Sequence, residues 1–307
     1  MTRDFFNFER YRPVVDDWGA FVDALRRPLP TCVWTNTLRT TPDGLAEQMA
    51  AFGFDLEPLD WYPDAFRVPA DVPVGATLPF VSGWYQVQEE AALLPVALLD
   101  LRPGQRVLDL CAAPGNKTAQ AAVRMQDRGL VIANDVSEGR LRMLPNLLQR
   151  LGLTSVATVA SDATAFPIAA PLFNAVIADV PCSCEGTVRK HPRAHRRAGR
   201  ANSLRLQVLQ TAILRRAIGC CRVGGTVVYA TCTFAPEENE AVVDAVLREQ
   251  AGRVQIRPVT VRHLDTTPGL TAWEGDAFDP ALQHALRLWP HHNDTGGFFV
   301  AVLDKTG

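Results

Sequence analysis

From residue 106 onward, apolar strand-like runs and amphipathic stretches alternate strictly, and this rhythm limits what the chain can fold into more than any other feature. Segment 106–111 (RVLDLC) reads as a strand, 117–127 as a helix, 130–134 as a strand and 138–151 as a helix that Gly152 terminates. Strands follow at 156–160 and 173–179, a helix at 204–220, a strand at 225–231, a helix at 238–249 and a last strand at 298–303 beside Gly296 and Gly297. Alternation at this spacing predicts an α/β fold, a parallel sheet with helices on both faces and its ligand at the carboxyl ends of the strands. Upstream, 18–26 and 42–52 read as amphipathic helices, while the prolines from Pro58 to Pro79 forbid a long helix between them. A further helix is expected over 88–101, broken by Pro103 and Gly104. The 307 residues then divide into an N-terminal module over 1–79 and a larger domain over 80–307. With 47% hydrophobic and 21% charged residues, disordered and fibrous classes are excluded.

Net charge is only −2, which by itself argues against a nucleic-acid partner, but the average hides an asymmetry. Between 186 and 236 there is no Asp or Glu, while ten Arg and Lys residues fall there, leaving −12 on the rest of the chain. Such a block marks an anion-binding surface, or more blandly a solvated loop and helix face. No apolar run approaches the roughly 18–20 residues of a membrane span, and the start lacks a signal peptide's apolar core, so a soluble, cytoplasmic protein is expected. Seven cysteines, an odd number scattered partly through apolar runs, predict reduced thiols rather than a disulfide framework.

After the first strand comes Cys111-Ala112-Ala113-Pro114-Gly115-Asn116-Lys117, a small-residue loop that leads into a helix. It has neither the dinucleotide fingerprint nor the GxxxxGK of a P-loop, so phosphate binding is disfavoured. Asp135, Asp162 and Asp179 end or follow three successive strands around it. Singly each reads as a turn residue or helix cap. Together they favour an unphosphorylated nucleoside ligand, and S-adenosylmethionine, with a ribose, an adenine and no phosphate, fits. Cys182 stands at the mouth of the strand ending at Asp179, and Cys232 at the mouth of the next. A lone strand-end cysteine is usually a small buried hydrophobe. Two at adjacent mouths of one cleft point to chemistry instead. A structural zinc site on Cys182, Cys184 and Cys232 is disfavoured by the lack of a CxxC pair and of a fourth ligand, and no metal is expected.

Over about 82–305 the chain resembles the Sun-type RNA cytosine-5 methyltransferases, the Nol/Nop/Sun and Fmu/RsmB-like enzymes. The resemblance rests on Gln88, the CAAPGNK loop, Asp135 with Arg140 five residues on, Pro181-Cys182 with Gly186-Thr187, Thr231-Cys232-Thr233 with Pro236-Glu237-Glu238-Asn239, and Gly296-Gly297-Phe298-Phe299. It implies a Rossmann-like sheet of seven mostly parallel strands, the last antiparallel. It also implies S-adenosylmethionine as cofactor, held by residues 111–117, Asp135, Arg140, Asp162 and Asp179. Cys232 would be the nucleophile that adds to carbon 6 of a cytosine in tRNA or rRNA, Asp179 would handle the proton at the ring nitrogen and amino edge, and Cys182 would assist release. The arginine block and the cationic sulfonium are expected to favour the thiolate. Two positions depart from the family pattern, which usually has glycine at both Asn116 and Cys184.

The RNA partner would be gripped by Arg189, Lys190, Arg193, Arg196 and Arg197, with further contacts from the N-terminal module through Trp34, Trp61 and Arg39. The chain is expected to act as a monomer, without membrane or metal. Two other readings stand beside this one. A non-catalytic RNA-binding or chaperone protein on the same fold is disfavoured because both cysteines and all three acids are present. A small-molecule methyltransferase is disfavoured by the arginine block.

Overall fold

The computed structural model describes residues 6–169 and 172–307. The chain opens with a 3-10 segment, Phe6–Val14, and helix α1, Trp18–Arg26, whose first turn is capped where Asp17 accepts from the Ala20 amide at 2.9 Å. A small antiparallel sheet follows, made of β1 (Thr31–Thr35), β2 (Glu57–Pro58), β3 (Ala65–Val68) and β4 (Tyr85–Val87), in the order β2-β3-β1-β4. Helices α2 (Pro42–Ala51) and α3 (Leu78–Val81) lie between its strands. Strand β4 comes from beyond Pro79, because the chain turns back at Gly83 and Val87 pairs with Val33. The Gln88 amide continues that pairing to the Cys32 carbonyl, so the helix expected over 88–101 shrinks to a 3-10 turn, Ala91–Leu93, and helix α4, Leu94–Ala97.

The alternating region forms the large sheet. In chain order its parts are β5 (Arg106–Asp109), α5 (Asn116–Arg124), β6 (Leu130–Asp135), α6 (Glu138–Leu141), α7 (Leu144–Leu151) and β7 (Val156–Ala160). Then come β8 (Phe173–Asp179), α8 (Arg200–Cys220), β9 (Cys221–Thr231), α9 (Glu240–Glu249) and β10 (Val254–Ile256). The C-terminal part adds β11 (Thr267–Pro268), a β12–β13 hairpin (Ala272–Trp273, Asp276–Ala277), β14 (Leu286–Leu288), α10 (Pro290–Asn293) and β15 (Phe298–Lys305). Pro145 has no amide hydrogen for the Leu141 carbonyl, so the single helix expected over 138–151 is two, and Gly152 ends the second as expected.

Sheet order is β7-β6-β5-β8-β9-β15-β14-β11, with β10 also paired to β15. The five strands from β7 to β9 are parallel, and β15 runs antiparallel beside β9. Strands β5 to β9 with β14 and β15 make the expected seven, and β10 and β11 extend them. Successive residues of a strand face opposite ways. Val107, Ile177 and Val228 therefore join one core, and Leu108, Val176 and Tyr229 the other, under α8 and α9. The N-terminal module shares these interiors: Cys32, Trp34 and Tyr62 belong to the first core, while Phe8, Tyr11 and Phe21 pack with Phe234 and Trp289. Trp34 is thus buried, its indole donating to Gln88 Oε1 at 2.9 Å, and is withdrawn from the expected RNA contacts. No helix of the described residues is long and apolar enough to cross a membrane.

Candidate active site

The parallel strands end on one edge, and the order reverses between β5 and β8, where a doubly wound sheet opens a crevice. Gly115 caps α5 there with φ +114°, and a Cβ on it would lie 1.7 Å from Leu144 Cδ1, so only glycine fits. Residues 111–114, Asn116, Lys117 and Asp179 line a cavity of about 150 Å³, together with Gln88, Glu89, Asp109 and Lys190. Asp135, almost fully buried, accepts from the Ala113 amide at 3.2 Å and the Ser137 amide at 2.9 Å, and Arg140 stands 3.4 Å away. Arg140 also donates to the Ala113 carbonyl, so this pair shapes the loop. Asp162 is exposed and caps a short turn through Thr164 at 2.8 Å, which is the plain structural role one such residue alone suggests. Asp135, Arg140 and Asp162 lie along the strand ends outside the cavity lining.

Lys117 donates to Asp179 Oδ2 at 2.7 Å and sits 5.8 Å from the Phe298 ring centroid. Burial works against its charge, but Asp179 and Asp109 outweigh it and hold the ammonium above its ordinary range. Asp109, at the end of β5, accepts from Thr118 at 2.7 Å through one oxygen, while the other is buried without a partner among the described residues. Burial, offset by that hydrogen bond but reinforced by Asp179, pushes the Asp109 carboxyl up to about 7.

Three thiols converge beside this pocket. Cys182 Sγ lies 3.4 Å from Cys232 Sγ and 3.9 Å from Cys184 Sγ. Their two loops are clamped together: Ser183 and Thr233 hydroxyls meet at 2.6 Å, the Gly186 amide donates to the Cys232 carbonyl at 2.9 Å, and the Ser183 amide donates to Glu238 Oε2 at 2.9 Å. Gln210 of α8 bridges the Pro181 carbonyl and the same Glu238 oxygen. Gly186 and Gly297 touch backbone to backbone, and a Cβ on Gly186 would fall 2.2 Å from the Gly297 carbonyl oxygen.

The hydrogen bond with Cys182 favours the Cys232 thiolate, but the one with Cys184, burial and the Asp179 charge outweigh it, and the thiol is held well above its ordinary range. Cys182 is raised as well, first by its hydrogen bonds to Cys184 and Cys232 and then by burial. Neighbouring thiols, burial and a carboxylate therefore govern these sulfurs, not the expected arginine block. The three thiols lie within 4.8 Å of one another, a set that a thiophilic metal could use.

The basic tract divides in two. Arg189 is a correction: its guanidinium is buried and donates to the Thr295, Pro28 and Arg27 carbonyls and to Asp294 Oδ1, at 2.7–3.2 Å, so it faces the interior rather than RNA. Lys190, Arg193 and Arg196 are exposed, and the side chain of Arg197 lies outside the described residues. Arg196, Arg200, Asn202, Arg205 and Cys182 line an open cavity of about 760 Å³. One thiol thus borders the arginine-lined cavity, and Asp179, beside its partner, borders the acidic one.

Residues 96–304 match the family described as 16S rRNA methyltransferase RsmB/F. The chain belongs to this family. It is 36% identical over 294 residues to ribosomal RNA small subunit methyltransferase F of Escherichia coli O1:K1 / APEC, covering 93% of this chain and 59% of that protein. The chain therefore spans about three fifths of the curated relatives it matches. Among solved structures, a methyltransferase homolog protein from Pyrococcus horikoshii is 28% identical with a TM-score of 0.83, covering 98% of this chain and 99% of that one. NSun6 from Pyrococcus horikoshii, solved with SFG, shares the fold at 19% identity and a TM-score of 0.82, covering 99% and 97%.

Both departures from the RsmB/F-like pattern are accommodated. Cys184 keeps φ +61°, the left-handed backbone that suits a glycine, and its thiol donates to the Cys182 carbonyl at 3.3 Å. Asn116 accepts from Gln86 of β4 at 2.8 Å and so ties the loop to the N-terminal sheet. The sequence reading missed Asp109, Gln210 and the buried Glu185, which accepts from Tyr11 at 2.7 Å. Only Asp109 left a signal, a carboxylate between two leucines at the end of a strand.

Proposed function

We propose that the chain methylates carbon 5 of a cytosine in 16S rRNA with S-adenosylmethionine as methyl donor, through a covalent adduct of Cys232 with carbon 6. The observation that carries the reading is the 3.4 Å approach of Cys182 and Cys232 between a carboxylate-lined and an arginine-lined cavity. The family and its rRNA-modifying relatives supply the substrate class.

The residues suit the donor. Asp109 Oδ1, buried without a partner on the cavity wall, offers an acceptor to an ammonium, and Lys190 at the rim offers a cation to a carboxylate. Asp135 keeps free lone pairs for ribose hydroxyls, and Asp162 stands at the mouth of β7 for the adenine edge. When bound, S-adenosylmethionine supplies an electrophilic methyl on a sulfonium.

Carbon 5 of cytosine is a weak nucleophile until a thiolate adds to carbon 6. Cys232 loses its proton to solvent and makes that sulfur–carbon bond, while the 5,6 double bond opens and its electron pair moves toward carbon 5. Asp179, oriented by the Lys117 ammonium at 2.7 Å, holds the ring nitrogen and amino edge as charge develops there. After methylation Cys182, next to the adduct sulfur, takes the carbon 5 proton or assists the departing thiol. A stacked base hides carbon 6, so the target cytosine is unpaired or flipped out. Arg196, Arg200 and Arg205 then hold its flanking phosphates. Residues 1–79 act as a module that adds RNA contacts through exposed Arg39.

The test is mass spectrometry of 16S rRNA, naked or in small subunits, incubated with the chain and labelled donor. One 5-methylcytosine is expected, and it is lost with Cys232→Ala. Methyl transfer to another atom, or near-normal turnover by Cys232→Ala, refutes the reading.

A further inference from the structure

Asp16, His291 and His292 form a second cluster, far in sequence from the thiols. Both imidazole Nε2 atoms lie on one carboxylate: His291 at 2.8 Å from Asp16 Oδ1, His292 at 3.0 Å from Oδ1 and 2.9 Å from Oδ2. Neighbouring residues on a helical turn normally diverge by about 100°, yet these two rings lie 4.2 Å apart at 54° and converge. His291 is packed edge-on against Phe21, whereas the Asp16 side chain is 63% exposed. The cluster is thus a preformed set of two nitrogens and a carboxylate with one face open to water.

We propose that Asp16, His291 and His292 bind a divalent transition-metal ion of the zinc type, completed by water. Two imidazole nitrogens and a carboxylate gathered in one space, with the carboxylate open to water, present a cation with three ligands already in place. Two imidazoles and a carboxylate suit zinc, cobalt or nickel, while calcium and magnesium prefer all-oxygen sets. Asp16 stands 275 and 276 positions from the two histidines, with no spacing motif to join them, so the sequence alone gives no sign of this cluster.

Among the described residues neither Nδ1 atom has a protein partner and no carboxylate supports the rings from behind, so micromolar rather than nanomolar affinity is expected. The ion would staple the start of α1 to the segment 289–297. That segment carries Asp294 and Thr295, which hold Arg189, and Gly297, which buttresses Gly186 behind the thiols. The role is structural and independent of the methyl-transfer reading.

The experiment titrates cobalt into the full chain after chelator treatment and removal of the chelator. One equivalent should bind with visible d–d bands and without the sulfur-to-cobalt charge-transfer band of thiolate ligation. Asp16→Asn, at an exposed position, and His292→Asn, at a half-buried one, should each weaken that binding by more than the roughly 10–100-fold cost of losing an outer-shell partner. Zinc should raise the melting temperature of the wild type and leave that of Asp16→Asn unchanged. No uptake by the wild type, unchanged uptake by Asp16→Asn, or uptake that always carries the charge-transfer band and disappears with Cys184→Ser would overturn the assignment.

Discussion

Cys184 combines two burdens in one residue. It occupies a left-handed backbone position, and it helps hold the Cys232 thiol above its ordinary range. Cys184→Gly should relieve the first by up to about 1 kcal/mol and shift the alkylation rate of Cys232 to lower pH, read by iodoacetamide labelling followed by peptide mapping. An unshifted profile would remove Cys184 from control of the nucleophile. Cys182→Ala should leave addition intact and slow release, giving a donor-dependent protein–RNA band on a denaturing gel. Loss of that band in the double variant lacking Cys232 checks the two roles. Asp109 sets a pH dependence of stability. Its carboxyl is raised from 3.8 to about 7, so its contribution is fully present below the unfolded value and is lost as pH climbs toward 7. Each unit lost is worth roughly 1.4 kcal/mol, and Asp109→Asn should flatten the fall of urea stability between about pH 4 and pH 7. Arg189 shows what a sequence leaves hidden. Nothing in a run of arginines distinguishes the one that turns inward, because burial is decided by Pro28, Asp294 and Thr295 from distant parts of the chain.

At the scale of elements, strand ends were the legible part. The expected strand 173–179 agrees with β8, and Asp135, Asp179, Cys182 and Cys232 all stand at the sheet edge where alternation placed them. Helix limits were less legible, since they depend on partners far along the chain. Gln88 continues the pairing of β4 because Cys32 is there to accept its amide. Chemistry between loops was legible as motifs but not as mechanics. The pairs Gly186-Thr187 and Gly296-Gly297 stand over 100 residues apart in sequence, and only the fold brings Gly186 and Gly297 into backbone contact. Gly186→Ala should force that contact apart, since its Cβ would meet a carbonyl oxygen rather than a movable side chain. Methylation should drop by orders of magnitude while the donor still binds, because Asp109, the 111–117 loop and Asp135 stand on β5, β6 and the loop after β5, away from that contact. Equilibrium dialysis with labelled donor beside an activity assay separates the two.

Over the whole molecule, charge is sorted by position rather than by amount. Arg215 pairs with Glu249 and Arg216 reaches the Thr164 carbonyl, so the cations left at the thiol cavity belong to the stretch before α8 and its first turns. RNA affinity should fall steeply with salt, and Arg193→Ala with Arg196→Ala and Arg205→Ala should flatten that slope by up to about three counterions. Arg189→Ala should instead leave the slope unchanged and cost stability of the order of 2–3 kcal/mol. A filter-binding salt series beside thermal melts distinguishes the two outcomes. The position of β15 carries a consequence for synthesis. It runs between β9 and β14, and the Phe8–Tyr11–Phe21 cluster closes on Phe234 and Trp289. A nascent chain leaving the ribosome therefore holds Phe8, Tyr11 and Phe21 without their pocket until Trp289 has emerged, and β9 without its antiparallel neighbour until Phe298–Lys305 has emerged. Folding is committed late, so chains that stall short of β15 present an open strand edge and become substrates for chaperones and proteases.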